Sequence, residues 1–172
     1  MNTAADLDAH ARALIDANRY STLGTADGDG TPWVSPVYIA TADYAAFYWV
    51  SAHDARHSRN VAERPQISLV IFDSQVLPYH GAAVYLSATA AELHGPELER
   101  GVEIYPGSAA RGASSIRRDD VTPPSAYRLY RAEVAEAFVL CPREPREPCP
   151  LHGIATDHRT SVVPWRGRPV SR

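Results

Sequence analysis

The chain has 172 residues, of which 45% are apolar and 22% charged, and its net charge is −3 at pH 7. That is enough chain to bury one core, in the proportions of an ordinary globular domain. A slightly acidic chain presents no global positive field to nucleic acid or to an anionic membrane, so neither is expected as a partner.

Taken in order, Thr3 with Asp6 three residues later reads as a helix start, and Leu7, Ala11, Leu14 and Ile15 then share one helical face up to about Asn18. Tyr20–Ala26 is the first strand, and Asp27-Gly28-Asp29-Gly30 is a strong turn signal before a second strand at Pro32–Ala40. Pro36 inside that strand calls for an edge or a bulge, because proline cannot donate to a sheet ladder. Thr41–Tyr44 turns the chain into a third strand at Ala45–Ser51. The stretch from Phe47 to Asp73 then reads as strand, donor-rich loop, short helix and strand. Pro65 limits the helix to one or two turns, and Ile67, Leu69 and Ile71 alternate at a period of two.

Ser74–Gly81 reads as a loop and Ala82–Leu93 as a long strand. A short helix opens at Pro96 and ends before Pro106. Residues 106–126 are rich in Gly, Ser, Ala and Pro and read as loop with at most one helical turn. Tyr127–Leu140 suits either period, since Tyr130, Val134 and Phe138 share a face in both. We read it as a strand because a sixth strand helps to close the sheet. Cys141–Pro150 holds four prolines and is irregular, and Asp157–Arg172 is a polar, arginine-rich tail with a single Trp165. Five or six strands joined mainly by short turns point to a mainly β (α+β) fold, a six-stranded antiparallel barrel with peripheral helices, and not to a doubly wound parallel sheet.

All 17 basic residues are arginine. Without lysine there is no Schiff base with pyridoxal phosphate and no Walker-type phosphate loop. The first 20 residues carry no basic start followed by an apolar core, and the longest apolar run, Tyr44–Val50, is far too short to span a bilayer, so the cytoplasm is the expected location. Cys141 and Cys149 read as free thiols. With His152 they form a C-x7-C-x2-H pattern that matches no common metal site and supplies three ligands, so no metal is expected. Arg117-Arg118 before Asp119-Asp120 reads as a self-paired solvated stretch.

The loop after the third strand packs Ser51, Arg56, His57, Ser58, Arg59 and Asn60 into ten residues. Such a donor set at the opening of a helix can hold a phosphate or another anion. Gln75 follows the next strand, and Trp33, Tyr38 and Trp49 offer flat surfaces nearby, so a ligand with a planar end and an anionic end is expected.

Three segments carry a family resemblance: SPVYIA (Ser35–Ala40), FYWVS followed by H-x-x-N and N-V-x-x-x-P (Phe47–Pro65), and SLVIFDS with the later AVYLSATAAEL (Ser68–Leu93). In their order and spacing they resemble the flavin-binding split β-barrels related to pyridoxamine 5'-phosphate oxidase. The resemblance implies a split-barrel flavin domain over residues 1–140, a C-terminal tail over 141–172, and a homodimer with FMN in a groove between subunits. It further implies that Ser35, Pro36, Val37 and Tyr38 line the flavin ring, that Trp49, Val50 and Ser51 approach it from the next strand, and that Arg56, His57, Ser58 and Asn60 hold the phosphate. Gln75 would touch the ring or ribityl chain, and Arg159 would reach a cofactor from the partner subunit.

Where many relatives have lysine in the phosphate loop, this chain has Arg56-His57. If His57 carries the phosphate, binding weakens as pH rises. The function implied is an oxidoreductase that passes hydride between FMN and a small organic substrate, with no evident protein acid or base. The alternatives are the deazaflavin F420 in a similar groove, or a non-catalytic flavin or haem carrier, for which His80, His94 and His152 are available.

Overall fold

The computed structural model describes residues 4–108, 112 and 114–162. Its elements are α1 (Ala4–Ala17), β1 (Tyr20–Ala26), β2 (Pro32–Tyr38), β3 (Ala46–Ala52), α2 (Arg56–Glu63), β4 (Gln66–Phe72), β5 (Ala83–Glu92), α3 (Gly95–Ile104), a 3-10 turn at Arg118–Val121, β6 (Tyr127–Leu140) and β7 (Arg159–Val162). Thr3, expected to start α1, and Trp165 lie outside the described residues.

All strands pair antiparallel, in the order β2-β1-β4-β5-β6-β3, with β7 added to β6. The long strand β6 serves two neighbours on one side. Its first half pairs with β3, from Ala52↔Tyr127 to Ala46↔Glu133, and its last four residues pair with β7. The sheet does not close. Its end strands β2 and β3 face each other across a split, joined by the isolated bridge between Ala40 and Tyr48, whose N···O distances are 3.0 and 2.8 Å. This is the split barrel read from the sequence, with a seventh strand added.

The turn between β1 and β2 follows from Asp27. Its carboxylate oxygen Oδ1 accepts the amides of Asp29 and Thr31, at 3.2 and 2.9 Å, and Gly30 takes the positive φ (87°) that closes the turn. Pro36 lies on β2, an end strand, and the register to β1 runs through it without a break.

Inside the curved sheet lie Leu23, Val37, Leu69, Ile71, Val84 and Val139, and α1 covers them with Leu7, Ala11 and Ile15. β3 is buried on both faces. Phe47 and Trp49 point into this core, whereas Ala46 and Tyr48 point into a second cluster with Leu93, Leu98 and Leu129 beneath α3. Gly101 of α3 allows that approach, because a Cβ there would lie 2.6 Å from Leu93 Cδ1 and 2.8 Å from Leu129 Cδ2.

The seventh strand corrects one expectation. Part of the polar tail is β7, and Cys141, Cys149 and Val162 belong to the main core. Only Val162 of its four residues is buried, so the segment is too short and too polar to show a period. Among the described residues no helix is long and apolar enough to cross a membrane.

Trp49 is a core residue. It is 0% exposed and stacks on Tyr130 with centroids 5.5 Å apart and planes at 15°, and its indole N–H has no partner. Trp49→Ala is expected to cost about 3–5 kcal/mol in urea unfolding. Trp49→Phe, which removes the orphaned donor along with part of the volume, is expected to cost clearly less. A loss below about 1 kcal/mol for the alanine variant would contradict the core placement.

Candidate functional site

The split between β2 and β3 is bridged by one side chain. His57, in the first turn of α2, places Nδ1 3.1 Å from Ser35 Oγ on β2 and Nε2 2.8 Å from Ser51 Oγ on β3. One serine hydroxyl donates to the ring and the other accepts from it, so a neutral imidazole satisfies both contacts. The spacing of the sequence makes this possible. Ser51 lies on the same face of β3 as Phe47 and Trp49, and six residues later the chain has turned through Asp54–Ala55 into a helix that crosses above it.

Two further side chains hold α2 down. Ser58 donates to Ala52 O at 2.7 Å, and Asn60 donates to Thr25 Oγ1 at 3.0 Å, which in turn donates to Trp33 O at 3.2 Å. Both are buried. Arg56 donates to Asp27 Oδ2 at 3.2 Å, and its guanidinium lies over the Trp33 ring, 4.5 Å from the centroid. Burial alone would raise the Asp27 carboxyl, but the Thr31 amide, Arg56 and the Asp29 amide together hold it below the usual carboxylate range. Arg59, one turn on, bonds back to Asp54 O. The residue before the helix, Ala55, has no side chain that can cap, so the amides of Arg56 and His57 open the helix without a side-chain acceptor.

The twelve residues expected to meet a cofactor divide by position. Ser35, Ser51, Arg56 and His57 come together at the split. Ser58 and Asn60 are there too, but their donors are spent on Ala52 and Thr25, and both are buried. Val37 and Trp49 are core, because strand alternation turns them inward. Val50 packs with α3 on the opposite face of β3, and Tyr38 donates to Pro106 O at 3.0 Å while packing edge-on against Tyr20 and Tyr105. Pro36 is exposed on the edge strand. Gln75 stands apart in the β4–β5 loop, its side-chain amide donating to Ser74. Arg159 lies on β7 over the Tyr85 ring, 3.7 Å from the centroid. A cavity of about 790 Å³ opens elsewhere, at the end of α1, beside Asp16, Arg19, Tyr20 and Tyr44.

The sequence reading missed two partners of this site, Asp27 and Thr25. Each lies about 30 residues upstream of α2, on β1 or its turn, and only the sheet brings them to the helix.

Burial lowers the His57 pKa, which favours the neutral ring near pH 7 in the chain without ligand. Burial lowers His10 in the same direction. A histidine held below its unfolded value of about 6.5 takes its proton more readily in the unfolded chain. Folding stability is therefore full above that value and is lost as pH falls from about 7 towards the lower folded value. Urea unfolding across this range should show that loss, and His57→Gln, which keeps an amide between the two serines, should flatten it. An unchanged slope would contradict the assignment.

A search of curated protein sequences finds no match. Among solved structures, a haem-binding protein from Mycobacterium smegmatis superposes with a TM-score of 0.65 at 20% identity, covering 96% of this chain. The chain spans 60% of that protein's length. HutZ, a haem storage protein from Vibrio cholerae, gives 0.54 at 18% identity over 78% of this chain and 91% of its own. A putative 5-nitroimidazole antibiotic resistance protein from Bacteroides thetaiotaomicron gives 0.61 at 11% identity over 76% and 81%. At these identities the likeness is one of fold. The family model for pyridoxamine 5'-phosphate oxidase matches residues 7–141, the segment that contains the sheet from β1 to β6 and the α2 bridge. Most of the chain, including the split and the helix across it, thus follows one family pattern, and the protein belongs to the pyridoxamine 5'-phosphate oxidase family.

Proposed function

We propose that the protein is a homodimeric FMN-dependent oxidoreductase whose cofactor is anchored by its phosphate at the amino end of α2. The observation that carries this reading is the uncapped first turn of α2, with the amides of Arg56 and His57 and the guanidinium groups of Arg56 and Arg59 at one helix end. Backbone N–H groups, the positive end of the helix dipole and arginine forks together suit a phosphate. Ser58 and Asn60 would contribute by fixing the helix, and neutral His57 by locking it across the split. Arg56 would exchange or share its Asp27 partner on binding.

The dimer is supported by the outer face of the sheet. Tyr20 (62% exposed), Thr22 and Gly24 on β1, Val34 (64% exposed) and Pro36 on β2, and Val70 and Phe72 on β4 form a face with no charged residue. An uncharged face of this kind, rich in exposed apolar side chains, is suited to a second copy, which would also complete the ring site beside the β2 edge. Bound FMN would supply the hydride chemistry, and the chain would bind the cofactor, orient it and exclude water from its ring.

The competing reading is haem carriage, which the similarity to two haem proteins favours. Haem iron needs an axial ligand. Both nitrogens of His57 are engaged within the chain, so a ligand would have to come from exposed histidines such as His80, His94 or His152. Spectra recorded during titrations with FMN, F420 and hemin test the choice. Saturable FMN binding with a flavin spectrum is the expected result, and a Soret band with no flavin binding would overturn the proposal.

The anion site has its own test. Arg56→Ala with Arg59→Ala is expected to weaken FMN binding about ten- to a hundredfold, the range for lost charge-assisted hydrogen bonds, while riboflavin binding stays within about twofold. Equal losses for both ligands would show that the phosphate is not held there.

A further inference from the structure

A second cluster lies beyond the end of β6 that β3 does not reach, beside β7. Cys141 directly follows β6, Cys149 and His152 lie further along the same loop, and His158 immediately precedes β7. Their ligand atoms all lie within 4.8 Å of one another. Cys141 Sγ and Cys149 Sγ lie 3.5 and 3.6 Å from His152 Nδ1, and His158 Nε2 lies 3.2 Å from His152 Nδ1. Four ligands around a tetrahedral zinc ion, with Zn–S near 2.3 Å and Zn–N near 2.05 Å, have S···N edges of about 3.5 Å and N···N edges of about 3.3 Å. The two sulfurs, at 3.1 Å, would need to part to the S···S edge of about 3.8 Å.

The surroundings are arranged for ligation. His158 Nδ1 lies 3.0 Å from Thr156 O, a carbonyl that can only accept. The ring therefore carries its proton on Nδ1, and the Nε2 lone pair points into the cluster, the usual outer contact of a metal-bound histidine. Cys149-Pro150-Leu151-His152-Gly153 forms a tight turn in which Gly153 N donates to Cys149 O at 2.7 Å, with Gly153 at a φ of +67°. Both cysteines are buried, and Cys141 N donates to His158 O at 3.0 Å, closing the loop at its two ends.

We infer that Cys141, Cys149, His152 and His158 form a structural Zn²⁺ site that staples the loop between β6 and β7. On binding, each thiol gives its proton to solvent, and two thiolates with two neutral imidazoles leave the site with no net charge. All four positions come from the protein, so the ion is structural and holds no open place for substrate. The ion secures β7 and with it Arg159 over Tyr85, adding to the Arg143–Asp157 ion pair, the packing of Cys149 and Leu151 and the loop hydrogen bonds that order this connection. The pattern is C-x7-C-x2-H-x5-H. The sequence reading stopped at three ligands because His158 is claimed only once β7 folds back beside β6.

The test uses the full chain, purified under reductant without chelator. Elemental analysis is expected to give one zinc per chain, falling below about a tenth in Cys141→Ser and in His158→Ala and unchanged in the control His94→Ala. Because a ligand variant can misfold, wild-type apo protein is also titrated with Co²⁺, which should develop tetrahedral ligand-field bands and a thiolate charge-transfer band at one equivalent. An octahedral cobalt spectrum, wild-type protein without zinc, or a Cys141–Cys149 disulfide in the reductant-purified protein would each overturn the inference. None of these readouts depends on the flavin.

Discussion

The imidazole of His57 holds the two free edges of the sheet in register. Six strands wind into a barrel that β2 and β3 fail to close, and beyond the Ala40–Tyr48 bridge the edges could separate. A single ring with one nitrogen on Ser35 and the other on Ser51 ties them through α2. A neutral ring can make both contacts, and burial favours the neutral form. The same residue type that suggested a phosphate cation in the sequence thus acts as a polar brace, and the positive charge of the site falls to Arg56 and Arg59.

Once α2 is fixed, the rest of the site follows. The Asn60–Thr25–Trp33 chain and the Ser58–Ala52 bond set the roll of the helix, and the Asp27 turn supplies the counter-charge that keeps Arg56 over Trp33. The helix therefore presents its amino end, uncapped, beside an edge strand. The barrel alone does not decide the function, which rests with the site it carries.

Much of the fold was legible in the sequence, from period where Ile67, Leu69 and Ile71 alternate on β4, and from the need for a sixth strand at Tyr127–Leu140, which suits either period. Tyr20–Ala26 and Tyr127–Leu140 match the structure residue for residue, and the short helix before Pro65 is α2. What was not legible depends on a second neighbour. The sequence shows that Trp49 is on a strand, but not that the opposite face of β3 is covered by α3, which turns an aromatic strand into a doubly buried one. Likewise Ser58 and Asn60 look like free donors until Ala52 and Thr25 are seen beside them. His158 needed β7, and β7 needed the exposed flank of β6, so neither could be read locally.

In the function proposed above, α2, braced across the split, is an anion cradle for the cofactor. The most direct measurement is a crystal structure of the protein grown with FMN. The phosphate is expected at the first turn of α2, accepting from the Arg56 amide and the arginine forks, with the flavin ring beside the β2 edge and against a second copy. A phosphate bound elsewhere, or a haem iron held by a histidine at the split in place of flavin, would contradict it.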